Sequence, residues 1–190
     1  SDPLNVRIVP DTSEIVLTGD RNFIFNGRII AGNCEYIGRE YAFEYDSFLV
    51  HLGHVDSIKL YIKKKTKSGR TSKTALDNTL SPGGGSVSAD VSGGSGTLYI
   101  NRPDNKSGKE KLPTYPQFDA GIGAVVRFNR KEILNGIYGD GVYFEAPPFA
   151  IDSLNDSDPA SIKFDGVFIS DGIFPVFEEN HGNMVAGIAA

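Results

Sequence analysis

Residues 152–158 read DSLNDSD and bring Asp152, Asn155, Asp156 and Asp158 close together in the chain. Calcium takes about six to eight oxygen ligands, and a turn of Asp and Asn can supply several of them. The segment lacks the glycine and the closing glutamate of an EF-hand loop at their usual places. Asp and Asn also populate turns for purely local hydrogen-bonding reasons. A calcium site and a plain turn are both open here, and no other cofactor is expected. A second oxygen-rich run, DNKSGKE at 104–110, carries two lysines among its would-be ligands.

His51 and His54 lie three apart in a strand pattern. Odd spacing sends two strand side chains to opposite faces, so a shared metal is not expected. His181, beside Glu178 and Glu179, reads as a surface residue. Glu35, Glu40, Glu44, Glu145, Asp165 and Asp171 fall in or beside strands. Glycoside hydrolysis needs two carboxylates facing one another in space, and 24 acidic residues make chance neighbours common. Tyr36, Tyr41, Phe43, Tyr45 and Tyr61 suit a platform for sugar rings or a β core with cross-strand ladders. The absence of Trp weighs against the sugar reading. There is no nucleophile elbow, phosphate loop or dinucleotide fingerprint. No catalytic residue is identified.

The elements that would position these groups are strands. Short runs rich in β-branched and aromatic residues recur between Gly, Asn, Asp and Pro, at Val6–Val9, Glu14–Leu17, Phe23–Phe25, Arg28–Ala31, Glu35–Ile37, Tyr41–Tyr45, Phe48–His51 and Ser57–Ile62. Ile58, Leu60 and Ile62 alternate with polar residues, and so do Tyr41, Phe43 and Tyr45, which is the period of a half-buried strand. Gly96–Asn101 is a further strand. So are Ala124–Phe128, Gly141–Phe144, Phe149–Leu154, Ser161–Phe164, Val167–Ser170 and Ile173–Phe177. The best helical candidates are Arg130–Asn135 and Asp156–Ser161, and both are short. Residues 1–190 therefore read as a single all-β domain. A polar Gly/Ser-rich excursion occupies about 64–96 and a polar loop about 102–118. One weak strand is expected near Val87–Val91.

Two phrases echo each other across the chain. Phe25, Asn26, Gly27, Ile29, Ile30 and Ala31 match Phe164, Asp165, Gly166, Phe168, Ile169 and Ser170. Asn-Gly and Asp-Gly favour positive φ, so Asn26, Gly27, Asp165 and Gly166 are expected to form tight turns. Closely spaced corners at Gly27, Gly32-Asn33, Gly38 and Asp46-Ser47 favour a β-solenoid, with a β-sandwich as the alternative.

Composition limits the partners. The net charge is −5 and the pI about 5.2, which argues against nucleic acid. Lys63, Lys64, Lys65, Lys67, Arg70 and Lys73 form a local exception with no aromatics between Lys63 and Lys73, and read as a solvated loop. The single cysteine, Cys34, forbids an internal disulfide and a Cys-based zinc site. The longest apolar stretches, Gly121–Val126 and Val185–Ala190, fall far short of the roughly 20 residues of a transmembrane helix. The chain begins at Ser1 and its one methionine is Met184, which predicts a segment of a longer protein.

The ordered blocks RNFIFNGRIIAG, EYAFEYDSFLVHLGHVDSIKLYI, LYINRPDNKSGKEKLPTYPQF, PFAIDSLND and IKFDGVFISDGIFPVFEE span Arg21 to Glu179. This set resembles a segment of very large uncharacterised proteins encoded in Bacteroidetes genomes. The resemblance carries no activity and no site residues. It implies an exported or envelope-associated parent, in which Pro82–Gly96 looks like a variable insertion. The expected function is a non-catalytic structural or interaction module whose partner is a protein or a glycan. The alternative is a carbohydrate-binding or glycan-acting domain.

Overall fold

The alternating apolar pattern becomes long paired strands in a computed structural model that describes residues 4–65, 71–75, 90–91, 94–127, 137, 141–156, 163–170 and 181–185. In chain order the strands are β1 (Val6–Pro10), β2 (Val16–Gly19), β3 (Asn22–Ala31), β4 (Cys34–Glu44), β5 (Leu49–Lys65), β6 (Thr71–Ala75) and β7 (Asp90–Val91). They continue with β8 (Gly94–Tyr99), β9 (Gln117–Ala120), β10 (Ala124–Arg127), β11 (Tyr143–Ala146), β12 (Phe149–Ile151), β13 (Lys163–Ile169) and β14 (His181–Val185). A nine-stranded sheet runs β1-β3-β4-β5-β8-β9-β12, with β2 also paired to β3 and β6 to β5; a five-stranded sheet runs β14-β13-β11-β10-β7. The pairings are antiparallel throughout. The fold is all-β, as the sequence indicates. Among the described residues the one helical element is a 3-10 turn at Pro103–Asn105.

The core lies on one face of the nine-stranded sheet. Register aligns Phe23, Phe43, Val50, Leu98, Phe118 and Ile151 in one row across six strands. A second row holds Phe25, Tyr41 and Leu52, and a third Ile8, Ile29, Tyr36 and Ile58. These side chains belong to one apolar cluster, and burying each large one contributes about 1.5–3 kcal/mol. Rings touch along the rows: Phe23 and Phe43 stack at 4.8 Å, and Phe25 meets Tyr41 edge-on at 5.5 Å.

The expected corners divide into two kinds. Gly32-Asn33 is a true two-residue turn between β3 and β4, with Gly32 at φ +59, the pattern of a type II′ hairpin. Asp46-Ser47 lies in the β4–β5 loop. By contrast, Asn26-Gly27 and Gly38 lie inside strands. Runs read as separate short strands on either side of them are single strands of 10 and 11 residues. Asp165-Gly166 likewise sits within β13, where Gly166 pairs with Gly182. The predicted turns at Asn26, Gly27, Asp165 and Gly166 are thus corrected to strand interiors. A coil that turns at each of these positions is absent among the described residues.

Asn26-Gly27 belongs to a crease that crosses the sheet. Ladder register shifts between Phe25 and Gly27, between Ile37 and Gly38, and between Leu52 and Val55. Gly27 takes φ +142 and Glu40 φ +58. Asn26 Oδ1 accepts the Glu40 backbone N–H at 2.9 Å, so one side chain satisfies the irregular backbone of the next strand. At the sheet edge the chain leaves β1 beside this line, and Asp11 N–H donates to Asn26 carbonyl at 3.0 Å. Bulges of this kind bend strands and raise local twist.

Parts of the two polar segments form paired strands or a pinned loop. β5 continues to Lys65 and pairs with β6, and β7 and the start of β8, ahead of the expected strand at Gly96, also fall within the expected excursion. Lys67, Arg70, the Val87–Ala89 part of the predicted weak strand, and the helical candidate Arg130–Asn135 lie outside the described residues. The 102–118 loop is pinned by two buried asparagines. Asn105 Nδ2 donates to Glu110 carbonyl at 2.8 Å and its Oδ1 accepts Glu110 N–H at 3.1 Å, while Asn101 Oδ1 accepts Arg102 N–H at 2.8 Å.

Candidate functional site

The calcium candidates sit where the chain crosses the tip of the β3–β4 hairpin. Leu154 is buried, and its carbonyl accepts Asn33 N–H at 2.7 Å. Asn155 uses its whole amide as a latch: Oδ1 accepts from Asn5 Nδ2 at 2.5 Å, and Nδ2 donates to Tyr115 carbonyl at 3.1 Å. Its backbone carbonyl accepts from Asn33 Nδ2 at 3.2 Å. Asp152 and Asp156 are exposed on either side, and Asp158 lies outside the described residues. In DNKSGKE the Asn105 amide is likewise engaged by Glu110. Among the described residues no three His, Cys, Asp or Glu side chains gather as a metal-binding group.

The histidines face the same way, not opposite ways. His51 pairs with Ala42 next to Leu52, and His54 pairs with Arg39 next to Val55. Leu52 and Val55 are both core residues, so the bulge between them changes the parity and puts both histidines on the outer face. Their partners differ: His51 Nε2 lies 3.3 Å from Glu44 and His54 Nε2 3.1 Å from Asp56. The remaining carboxylates are dispersed. Glu35 is buried against Arg28 at 3.2 Å, Glu145 and Asp165 are exposed on the second sheet, and Asp171 is outside the described residues.

Three of the five residues of the candidate sugar platform belong to the core. Tyr36 and Tyr41 are fully buried, and burial pushes both hydroxyls well above the ordinary tyrosine range. Phe43 packs against the core cluster. Tyr45 carries the Arg21 guanidinium 3.8 Å above its ring, which occupies that face. The Tyr61 side chain is outside the description. One apolar cavity, lined by Val55, Ile58, Phe118, Ala120, Gly123 and Phe149, holds about 10 Å³, room for one water at most.

What the surface offers instead is a strand edge. Every residue of β2 is exposed. Ile15, Val16 and Leu17 are 47%, 59% and 73% accessible, and Ile24, paired to Val16, adds a fourth apolar side chain. All large exposed apolar residues among those described are aliphatic. β2 pairs with β3 on one side, and among the described residues no strand lies on the other. A type I′ turn, Asp20 at φ +48 and Arg21 at φ +64, fixes β2 against β3. An open edge offers a row of backbone donors and acceptors, and proteins usually blunt one with lysine, proline or cover. Residues 14–18 read EIVLT and contain neither. The sequence shows this segment as a strand; its exposure depends on which strands fail to pair with it.

No family profile, curated protein or solved structure matches the chain. No helix among the described residues is long and apolar enough to cross a membrane.

Proposed function

We propose that the chain is a non-catalytic interaction module of a larger bacterial surface or envelope protein, with its two antiparallel sheets arranged as a β-sandwich. The observation that carries this reading is the distribution of apolar side chains. Among the described residues no aromatic ring is exposed, while a consecutive aliphatic run stands exposed on a strand edge that no other described strand pairs with. A sugar site would want exposed rings, and a hydrolase would want two carboxylates across a cleft. Strand addition needs main-chain hydrogen bonds along an edge and apolar side chains for alternate pockets, and β2 supplies both.

The test uses a photo-crosslinking residue at position 17 in the full parent protein in cells, beside a glycan array probed with the chain. A polypeptide crosslink lost in Val16→Lys, with a blank array, is the expected result. A glycan hit that survives Val16→Lys would replace this reading with the carbohydrate-binding one.

A further inference from the structure

We propose that β2 of one copy pairs antiparallel with β2 of a second copy, about a two-fold axis at Val16, so that two nine-stranded sheets become one continuous sheet. This rests on the interaction-module reading of that edge and names the partner.

The edge matches itself when one copy is turned end for end. Setting Val16 against Val16 puts Ile15 opposite Leu17, Glu14 opposite Thr18 and Asp11 opposite Arg21. The fold keeps the outermost pair level. Asp11 N–H donates to the carbonyl of Asn26, two positions along β3 from Ile24, the partner of Val16. Arg21 lies in the turn just past Gly19, and Gly19 pairs with Asn22, two positions from Ile24 the other way. Apolar groups match on both faces. Val16 pairs with Ile24, which shares the outer face with Ala42 and His51, so the axis gathers two valines and two isoleucines there. Leu17 pairs with Phe23, which packs against the core, and on that face each Leu17 meets Ile15 of the other copy.

Charge selects the direction. A parallel, in-register pair would set Asp11 on Asp11, Glu14 on Glu14 and Asp20 on Asp20, and like charges directly opposite are unfavourable. The antiparallel pair gives Asp11 a guanidinium and Glu14 a hydroxyl donor, and Asp20 falls opposite Thr12. Arg21 is exposed, and its ion pair with the exposed Asp46 is long, at 3.8 Å, so it can serve a second carboxylate. Exposed ion pairs stabilise little; these set register and direction, while apolar contact holds the pair. The same surface serves both copies, so the contact is isologous and closes at a dimer. A strand of 4 residues makes a small interface, and association is weak, with Kd on the order of 100 µM.

Sedimentation velocity on the chain, from about 10 µM to about 1 mM, tests this. Wild type is expected to pass from the 20.5 kDa monomer to a dimer and no further. Val16→Lys puts two lysines at the axis and should weaken pairing at least about tenfold; Leu17→Lys replaces it if circular dichroism shows that it does not fold. Asp11→Arg and Arg21→Asp should each weaken pairing about threefold or more, and the double variant, with opposite charges facing again, should recover wild-type pairing. Oxidation reads the register. Directly opposite strand residues have Cα atoms about 4.5–5.5 Å apart, within disulfide reach. Val16→Cys should therefore form a disulfide dimer with itself, while Ile15→Cys and Leu17→Cys should do so mainly when mixed. The native Cys34 is buried, and wild type is the control for it. Three results overturn the proposal. They are a wild type still monomeric at about 1 mM, a charge-swapped double variant as weak as its singles, or a Val16→Cys dimer that forms no faster than those of Ile15→Cys and Leu17→Cys alone. If wild type is monomeric but position 17 still crosslinks to another polypeptide, the interaction reading stands and only the second-copy assignment falls. A glycan hit indifferent to the edge removes the underlying reading as well.

Discussion

The two Phe-Asx-Gly phrases look alike in sequence and differ in what the glycine does. In β3, Gly27 holds φ +142, and a side chain there would meet Val9 carbonyl and, at 2.8 Å, Asp11 nitrogen. Its neighbour Asn26 reaches across to the Glu40 N–H. In β13, Gly166 sits opposite Gly182, with no positive φ. A side chain there would strike Glu145 carbonyl and, at 2.5 Å, the Phe144 ring. One glycine is needed for conformation and space, the other for space alone. A shared dipeptide thus marks two different physical needs.

The largest expected effect follows at the first site. Gly27→Val should lose about 1–3 kcal/mol to overpacking and roughly 1–3 kcal/mol more to backbone strain, read as a fall in denaturant midpoint. Gly166→Val should show the overpacking part alone, about 1–3 kcal/mol. Equal losses at the two positions would erase the distinction.

Next comes Asn155→Ala, which unmakes the latch and should cost about 1–3 kcal/mol by stranding Asn5 and the Tyr115 carbonyl. The wild-type melting temperature should stay the same with chelator or with millimolar calcium. A calcium-dependent shift that Asn155→Ala abolishes would turn the latch into a metal site.

The smallest effects contrast the Asx residues. Asn26→Ala should cost about 1 kcal/mol for the lost bond to Glu40. Exposed Asp165→Ala should stay within about 0.5 kcal/mol. Matching values would mean that Asn26 does not support the crease.

How far the sequence revealed this molecule depends on the range of each interaction. Tyr41 and Phe43, or Ile8 and Val6, show their strand by local alternation, and Gly32-Asn33 shows its turn by local conformation. The crease was illegible, because a bulge is defined by the register of a neighbouring strand. The same bulge defeated the parity argument for His51 and His54. The DSLND segment reads as a ligand set until Asn5, 150 positions away, is seen to take the Asn155 oxygen. Ile15–Leu17 resembles any other strand until its unpaired side is known.

The Asn33–Asn155 bond joins positions 122 apart, and that separation sets an order of events. As the chain leaves the ribosome, β3 and β4 can zip early, since two-residue hairpins close quickly and locally. The polar tip of that hairpin then waits for residues made much later. Its completion coincides with near-completion of the whole sheet, so the latch acts as a late checkpoint on assembly. A chain halted before Leu154 would hold the long central strands with their end open, and this nascent form is the one most in need of a chaperone.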